Sequence, residues 1–228
     1  ESVPEKKRVQ AGAFLYTAAP AGLFLATYIT DLFTRGFDSL AANPDLAWRM
    51  VFLTGLIPAA VAIAIRLKLK EPEIWKHGEE QPRIAELFTP ALKRRTLGGL
   101  AMASVALITW WSVNAFLPIA ASFLVNDVVP APAATEVAAI KARFITTGTT
   151  WFNLGGLMGC LLTIPIAQYL GRRTMFKIYF SLSAAAVWIV YGWTMPPELR
   201  LQLLFFVGIT VFGIFGSFTF YLPELFLY

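Results

Sequence analysis

Two residue types that commonly carry chemistry are almost missing from this chain. It has one cysteine, Cys160, and one histidine, His77, so neither a disulfide framework nor a Cys/His metal site can be assembled. Charge is scarce too: 14% of residues are Asp, Glu, Lys or Arg, against about 25% in an ordinary soluble domain. A membrane-embedded transferase would need paired carboxylates or a histidine cluster at the membrane face, and His77 alone in a charged loop supplies neither. No enzymatic activity, metal or cofactor is therefore expected.

What fills the chain is apolar: 57% of its 228 residues are hydrophobic and mean hydropathy is +0.62. Charge-free runs cover Gln10–Thr30 (21 residues), Met50–Ile65 (16), Thr96–Asn126 (31), Phe144–Gly171 (28), Ile178–Pro197 (20) and Leu201–Pro223 (23). A spanning helix needs about 20 residues. The second run is short by that measure, but Trp48 can anchor one end at the interface, while Arg66 and Lys68 can snorkel from the other. Backbone amides in hydrocarbon must be satisfied within their own segment, and no run shows the alternation of a barrel strand. The expected fold is an all-α polytopic membrane protein with six transmembrane helices, and its first partner is the lipid bilayer.

The net charge of +5 does not point to a nucleic-acid partner, because the basic residues flank the apolar runs. Assigned to alternate sides of six spans, 14 of the 19 basic residues fall on one side, including Arg66 through Arg95 and Arg172, Arg173 and Lys177. The other side receives 5: Arg35, Arg49, Lys141, Arg143 and Arg200. The positive-inside rule then places both ends in the cytoplasm, and the expected location is the plasma (inner) membrane. The stretch from Arg66 to Arg95 is the longest polar connection, interrupted by Pro72, Pro82 and Pro90. After Pro130 and Pro132, residues Glu136–Arg143 read either as a short amphipathic turn leading into the fourth span or as a disordered loop. The chain opens on Glu1 and closes just after an apolar run, which reads as a piece of something longer.

Three short signatures sit where this topology needs them. Gly171, Arg172 and Arg173, between the fourth and fifth spans, resemble the Gly-x-x-x-Asp-x-x-Gly-Arg-Arg cytoplasmic motif of the major facilitator superfamily. Gln168 stands at the motif's aspartate and Ile164 at its first glycine, so this copy lacks the carboxylate. The second span opens on Trp48, Arg49 and Phe52 and exits through Lys70, Glu71, Pro72, Glu73, Ile74, Trp75 and Lys76. That pattern is similar to the sixth helix of the organic-acid and sialate proton symporters. Pro4 and Glu5 precede the first span, and Pro223 and Glu224 follow the last, as at equivalent connections of two homologous halves.

The resemblance covers essentially the whole chain and implies helices 5 to 10 of a major facilitator type bundle. Residues 1–65 would close an N-terminal bundle, 66–95 would be the cytoplasmic linker, and 96–228 would begin a C-terminal bundle, the remaining helices being missing partners. It further implies alternating access for a small polar solute, with an organic acid as substrate, a proton as coupling ion, and a gating role for Gly171, Arg172 and Arg173. A sugar or drug carrier of the same superfamily, a membrane enzyme and a structural subunit are the alternatives.

Substrate-facing groups should be midspan polar and aromatic side chains, which hydrocarbon penalises elsewhere. On the fourth span Thr146, Thr149, Thr150, Asn153, Gly156, Cys160 and Thr163 share one stripe. The stripe lines a cavity or forms a packing seam, with Gly155 and Gly159 assigned to packing and Asn153 to the cavity. On the third span Asn114 and Trp111 follow one face with Pro118, while Trp110 reads better as core packing or lipid contact than as a ligand contact. On the first span Tyr16, Pro20, Leu23, Thr27 and Asp31 share a face, and Tyr16 reads equally as a cavity residue or an interface anchor. The substrate-binding set expected from sequence is thus Asn114, Trp111, Asn153, Thr150 and Tyr16. No Asp, Glu, Lys or Arg falls inside the six runs, so a proton-carrying residue is expected in other helices.

Overall fold

The computed structural model describes residue 4 and residues 7–69, 83–127 and 134–226. Among these residues there is no strand, and six helices are long and apolar enough to cross a membrane: Arg8–Gly36, Pro44–Lys68, Lys93–Asn126, Glu136–Tyr169, Arg172–Gly192 and Pro197–Glu224, here spans 1 to 6. The protein is an all-α, multi-pass membrane protein. Most of the polar exit of span 2, with His77, and the prolines at 130 and 132 lie outside the described residues.

Proline places the breaks inside the first two spans. A proline lacks the N–H its i−4 carbonyl needs, and its ring crowds that carbonyl. In span 1 Pro20 acts on Tyr16, and the helix turns at Thr17, whose hydroxyl donates to the Phe14 carbonyl at 2.6 Å. In span 2 Pro58 acts on Thr54, and the turn falls at Gly55. Span 2 begins cleanly, with Pro44 in its first turn and the Asn43 side chain accepting from Leu46 N at 3.3 Å. It therefore runs 25 residues, well beyond the 16 free of charge, because Asp45, Arg49, Arg66 and Lys68 sit in its end turns. Span 4 likewise starts upstream of its apolar run, and Glu136–Arg143 is continuous helix.

Span 6 is the centre of the bundle, with 67% of its apolar window buried, whereas that of span 2 is 0% buried. Contact between spans 4 and 6 is backbone to backbone. A Cβ on Gly155 would lie 1.9 Å from the Phe205 carbonyl oxygen, one on Gly159 2.1 Å from that of Ile209, and one on Gly208 2.1 Å from that of Phe152. Small residues let helices approach this closely where no hydrophobic drive exists between them. Span 5 joins through Tyr179, which donates to the Gly159 carbonyl at 3.0 Å and lies 3.0 Å from Thr163 Oγ1. Span 1 packs on span 6 at Gly12, facing Thr219, and through Tyr16 stacked on Phe215 with centroids 6.1 Å apart.

Candidate functional site

Between spans 1, 3 and 4 lies a cavity of about 480 Å³, within the size range of small-molecule sites. Its lining comes from Leu23 to Arg35 of span 1, Asn114 and Pro118 of span 3, and Ala142 to Asn153 of span 4. Spans 1 and 4 run antiparallel, so Arg35 and Ala142 mark one end of the cavity and Leu23 and Asn153 the other. The first end is ionic and the second is uncharged.

At the ionic end Asp31 and Arg35 are ion-paired one helical turn apart. A single π-turn, Leu32–Gly36, carries Arg35 before the chain leaves the helix at Phe37. Arg35 Nη2 also donates to Thr146 Oγ1 at 3.1 Å, and the Thr146 hydroxyl donates to Asp31 Oδ1 at 3.2 Å, which joins span 1 to span 4. The pair is net neutral, and a guanidinium has five N–H donors, more than these contacts use.

At the uncharged end Asn153 is 3% exposed, and its Oδ1 is buried with no hydrogen-bond partner. Asn114 faces the same cavity from span 3. Pro118, one turn on, has no N–H to give the Asn114 carbonyl, so that acceptor loses its i+4 donor beside the cavity. Below, aromatic rings close the space: Phe152 lines it and packs on Phe212 at 5.3 Å, and Trp110 meets Phe212 at 6.3 Å and Phe215 at 6.1 Å.

The structure brings Asn114 and Asn153 together and leaves the other expected site residues outside the lining. Trp111 is 59% exposed; the buried face of span 3 runs through Ala106, Val113, Leu117 and Ala121, a row on which position 110 falls and 111 does not. Trp110 accordingly packs in the core, with its Nε1 unpartnered. Thr150 lies on the far side of Thr146 from Thr149 and Asn153, about 100° around span 4 from Thr149, and does not line the cavity. Tyr16 sits below the cavity against Phe215. The polar stripe of span 4 divides: Thr146, Thr149 and Asn153 face the cavity, whereas Gly156 abuts the Phe212 ring and Cys160 and Thr163 are fully buried. Sequence reasoning passed over Arg35 because it lay beyond the charge-free run, and placed Asp31 on the right face without making it a site residue. The i, i+4 spacing of Asp31 and Arg35 was the available signal.

Gly171 adopts φ +77°, a left-handed conformation that glycine takes without strain, and turns the chain from span 4 into span 5. Arg172 then reaches the end of span 6. It donates from Nη2 to Glu224 Oε1 at 3.0 Å and from Nε to Oε2 at 3.3 Å, and from Nη1 to the Ala167 carbonyl at 3.1 Å. Arg172 thus finds its carboxylate partner on span 6. Arg173 is exposed. Among the described residues no group of His, Cys, Asp and Glu could hold a metal ion.

Comparison with known proteins gives three relatives along nearly the whole chain. Two are proteins of Haemophilus influenzae named "putative metabolite transport protein", one 24% identical over 96% of this chain and 51% of its own length, the other 28% identical over 99% and 51%. The third, from Cupriavidus pinatubonensis, is named "probable 4-methylmuconolactone transporter" and is 24% identical over 99% of this chain and 49% of its own length. The chain thus spans about half the length of the curated relatives it matches. All three names are those of transport proteins and none is that of an enzyme. No family model and no solved structure matches the chain.

Proposed function

We propose that this chain is the central part of a secondary transporter of the major facilitator type, which carries a small organic acid by proton symport through alternating access. The observation that carries the proposal is the cavity between spans 1, 3 and 4, where an arginine, an aspartate and two asparagines face a common space within a membrane bundle. Hydrocarbon would penalise each of those groups unless the space held water or a polar solute. Arg35 suits a carboxylate, since its planar fork matches two oxygens at once. The lactone transporter among the relatives favours an organic solute of this size.

In this reading residues 1–65 close one bundle, residues 66–95 form the cytoplasmic connection and residues 96–228 open the second bundle, with further helices completing both. Both ends of the chain face the cytoplasm across the inner membrane. Thr146 ties the bundles together at the ionic end of the cavity, while Gly12 and Tyr16 pack span 1 on span 6 at the other. Rocking of one bundle would exchange these two closures. Arg172 and Glu224 clasp the adjoining ends of spans 5 and 6, so that these two helices of the second bundle would move together.

Uptake of labelled organic acids into proteoliposomes of the full-length protein, with and without an inward proton gradient, tests the reading. Accumulation driven by the gradient is expected. A neutral sugar that accumulates while no acid does would retain the transporter and overturn the acid, and acid uptake indifferent to the gradient would overturn proton coupling.

A further inference from the structure

We propose that the uncharged end of the cavity is a subsite for a hydrogen-bond donor carried by the solute, and that Asn153 is the residue that reads it. The inference rests on the transport reading above and specifies what the solute must carry besides its charge.

Asn153 Oδ1 is buried and has no hydrogen-bond partner. A buried acceptor without a donor is costly and rare, and Asn153 lies deep in the bundle at 3% exposure. Its own helix cannot serve it, because backbone N–H groups of a helix interior donate to carbonyls four residues back. Nor do the neighbouring hydroxyls. Thr149 donates to its own helix, with Ile145 O at 2.8 Å and Thr146 O at 3.1 Å, and Thr146 donates to Asp31 at 3.2 Å. Across the cavity Thr27 donates to Leu23 O at 2.9 Å and Thr34 to Thr30 O at 2.7 Å. These threonine hydroxyls are committed to other acceptors, and no other side chain of the lining donates to Asn153 Oδ1, which leaves that acceptor open to a donor carried by a solute.

Charge belongs at the opposite end. Thr146, which Arg35 touches, and Asn153 are seven residues apart on one helix, which separates them by roughly 10 Å along its axis. A solute that satisfies both ends has an anionic group and, several bonds away, a hydroxyl or similar donor. Short monocarboxylates reach only one end.

Isothermal titration of the detergent-solubilised full-length protein with 6-hydroxyhexanoate, hexanoate, 3-hydroxypropionate and propionate tests this. The longer hydroxy acid is expected to bind roughly tenfold tighter than hexanoate, the worth of one hydrogen bond to an otherwise unsatisfied group. The short pair should differ little, and Asn153→Leu should bring the long pair to a ratio near one. The unmodified protein decides the matter even if that variant fails to fold. Equal affinities of 6-hydroxyhexanoate and hexanoate would overturn the subsite and leave the acid reading standing. An equal gain in both pairs would overturn the two-ended geometry, and binding of none of the four acids would overturn the acid reading together with the subsite.

Discussion

At the scale of single residues, glycine decides the packing and polar side chains decide the cavity. Gly159 has a carbonyl where its Cβ would be, whereas Gly98 has nothing within 4 Å. Gly159→Val should therefore destabilise the bundle by about 1–3 kcal/mol, the usual cost of overpacking, while Gly98→Ala should be neutral or slightly stabilising. The fully buried Cys160 thiol next door is a built-in reporter: in a thermal ramp with a thiol-reactive fluorophore, its exposure should come earlier in the Gly159 variant only. Much of this was legible in the sequence, since the spacing of Gly155 and Gly159 announces a close helix contact. Asn114 and Asn153 were legible as midspan amides. That Trp111, Thr150 and Tyr16 lie outside the cavity lining was not, because periodicity fixes which residues share a helix face but not how far the helix is rotated against its neighbours.

At the scale of elements, charge-free runs located all six helices, which run on past the runs into charged end turns. A charge in the last turn of a span can reach the headgroups, so span 2 runs on to Lys68. Asp31 and Arg35 extend span 1 in a different way, by neutralising each other in a polar cavity. That pairing depends on span 4 lying alongside, which no local pattern records. The same holds for Arg172, whose carboxylate partner stands 52 residues away at Glu224. A double-mutant cycle of Arg172→Gln and Glu224→Gln should give a coupling of about 1 kcal/mol, since the pair is doubly hydrogen-bonded yet partly exposed. The coupling should fall with added salt, and additive effects of the two substitutions would show that the clasp contributes nothing.

At the scale of the whole molecule, spans 4, 5 and 6 form a tight unit and span 1 bridges to it at both ends, while span 2 keeps nearly all its surface open. A cavity walled by spans 1, 3 and 4 is thus bounded by helices assigned to both proposed bundles, which is what alternating access requires. Passage of a solute through this cavity requires that Asn114 and Asn153 face it. With Cys160 replaced by serine, each asparagine in turn is replaced by cysteine and exposed to a membrane-impermeant thiol reagent, with cysteine at Leu161, outside the cavity and proposed to face lipid or neighbouring helices, as control. Both cavity positions should be labelled and the control should not, because a thiol in hydrocarbon neither ionises nor meets the reagent. If neither asparagine position is labelled in any state of the protein, both side chains belong to helix packing and the cavity is no route for a solute.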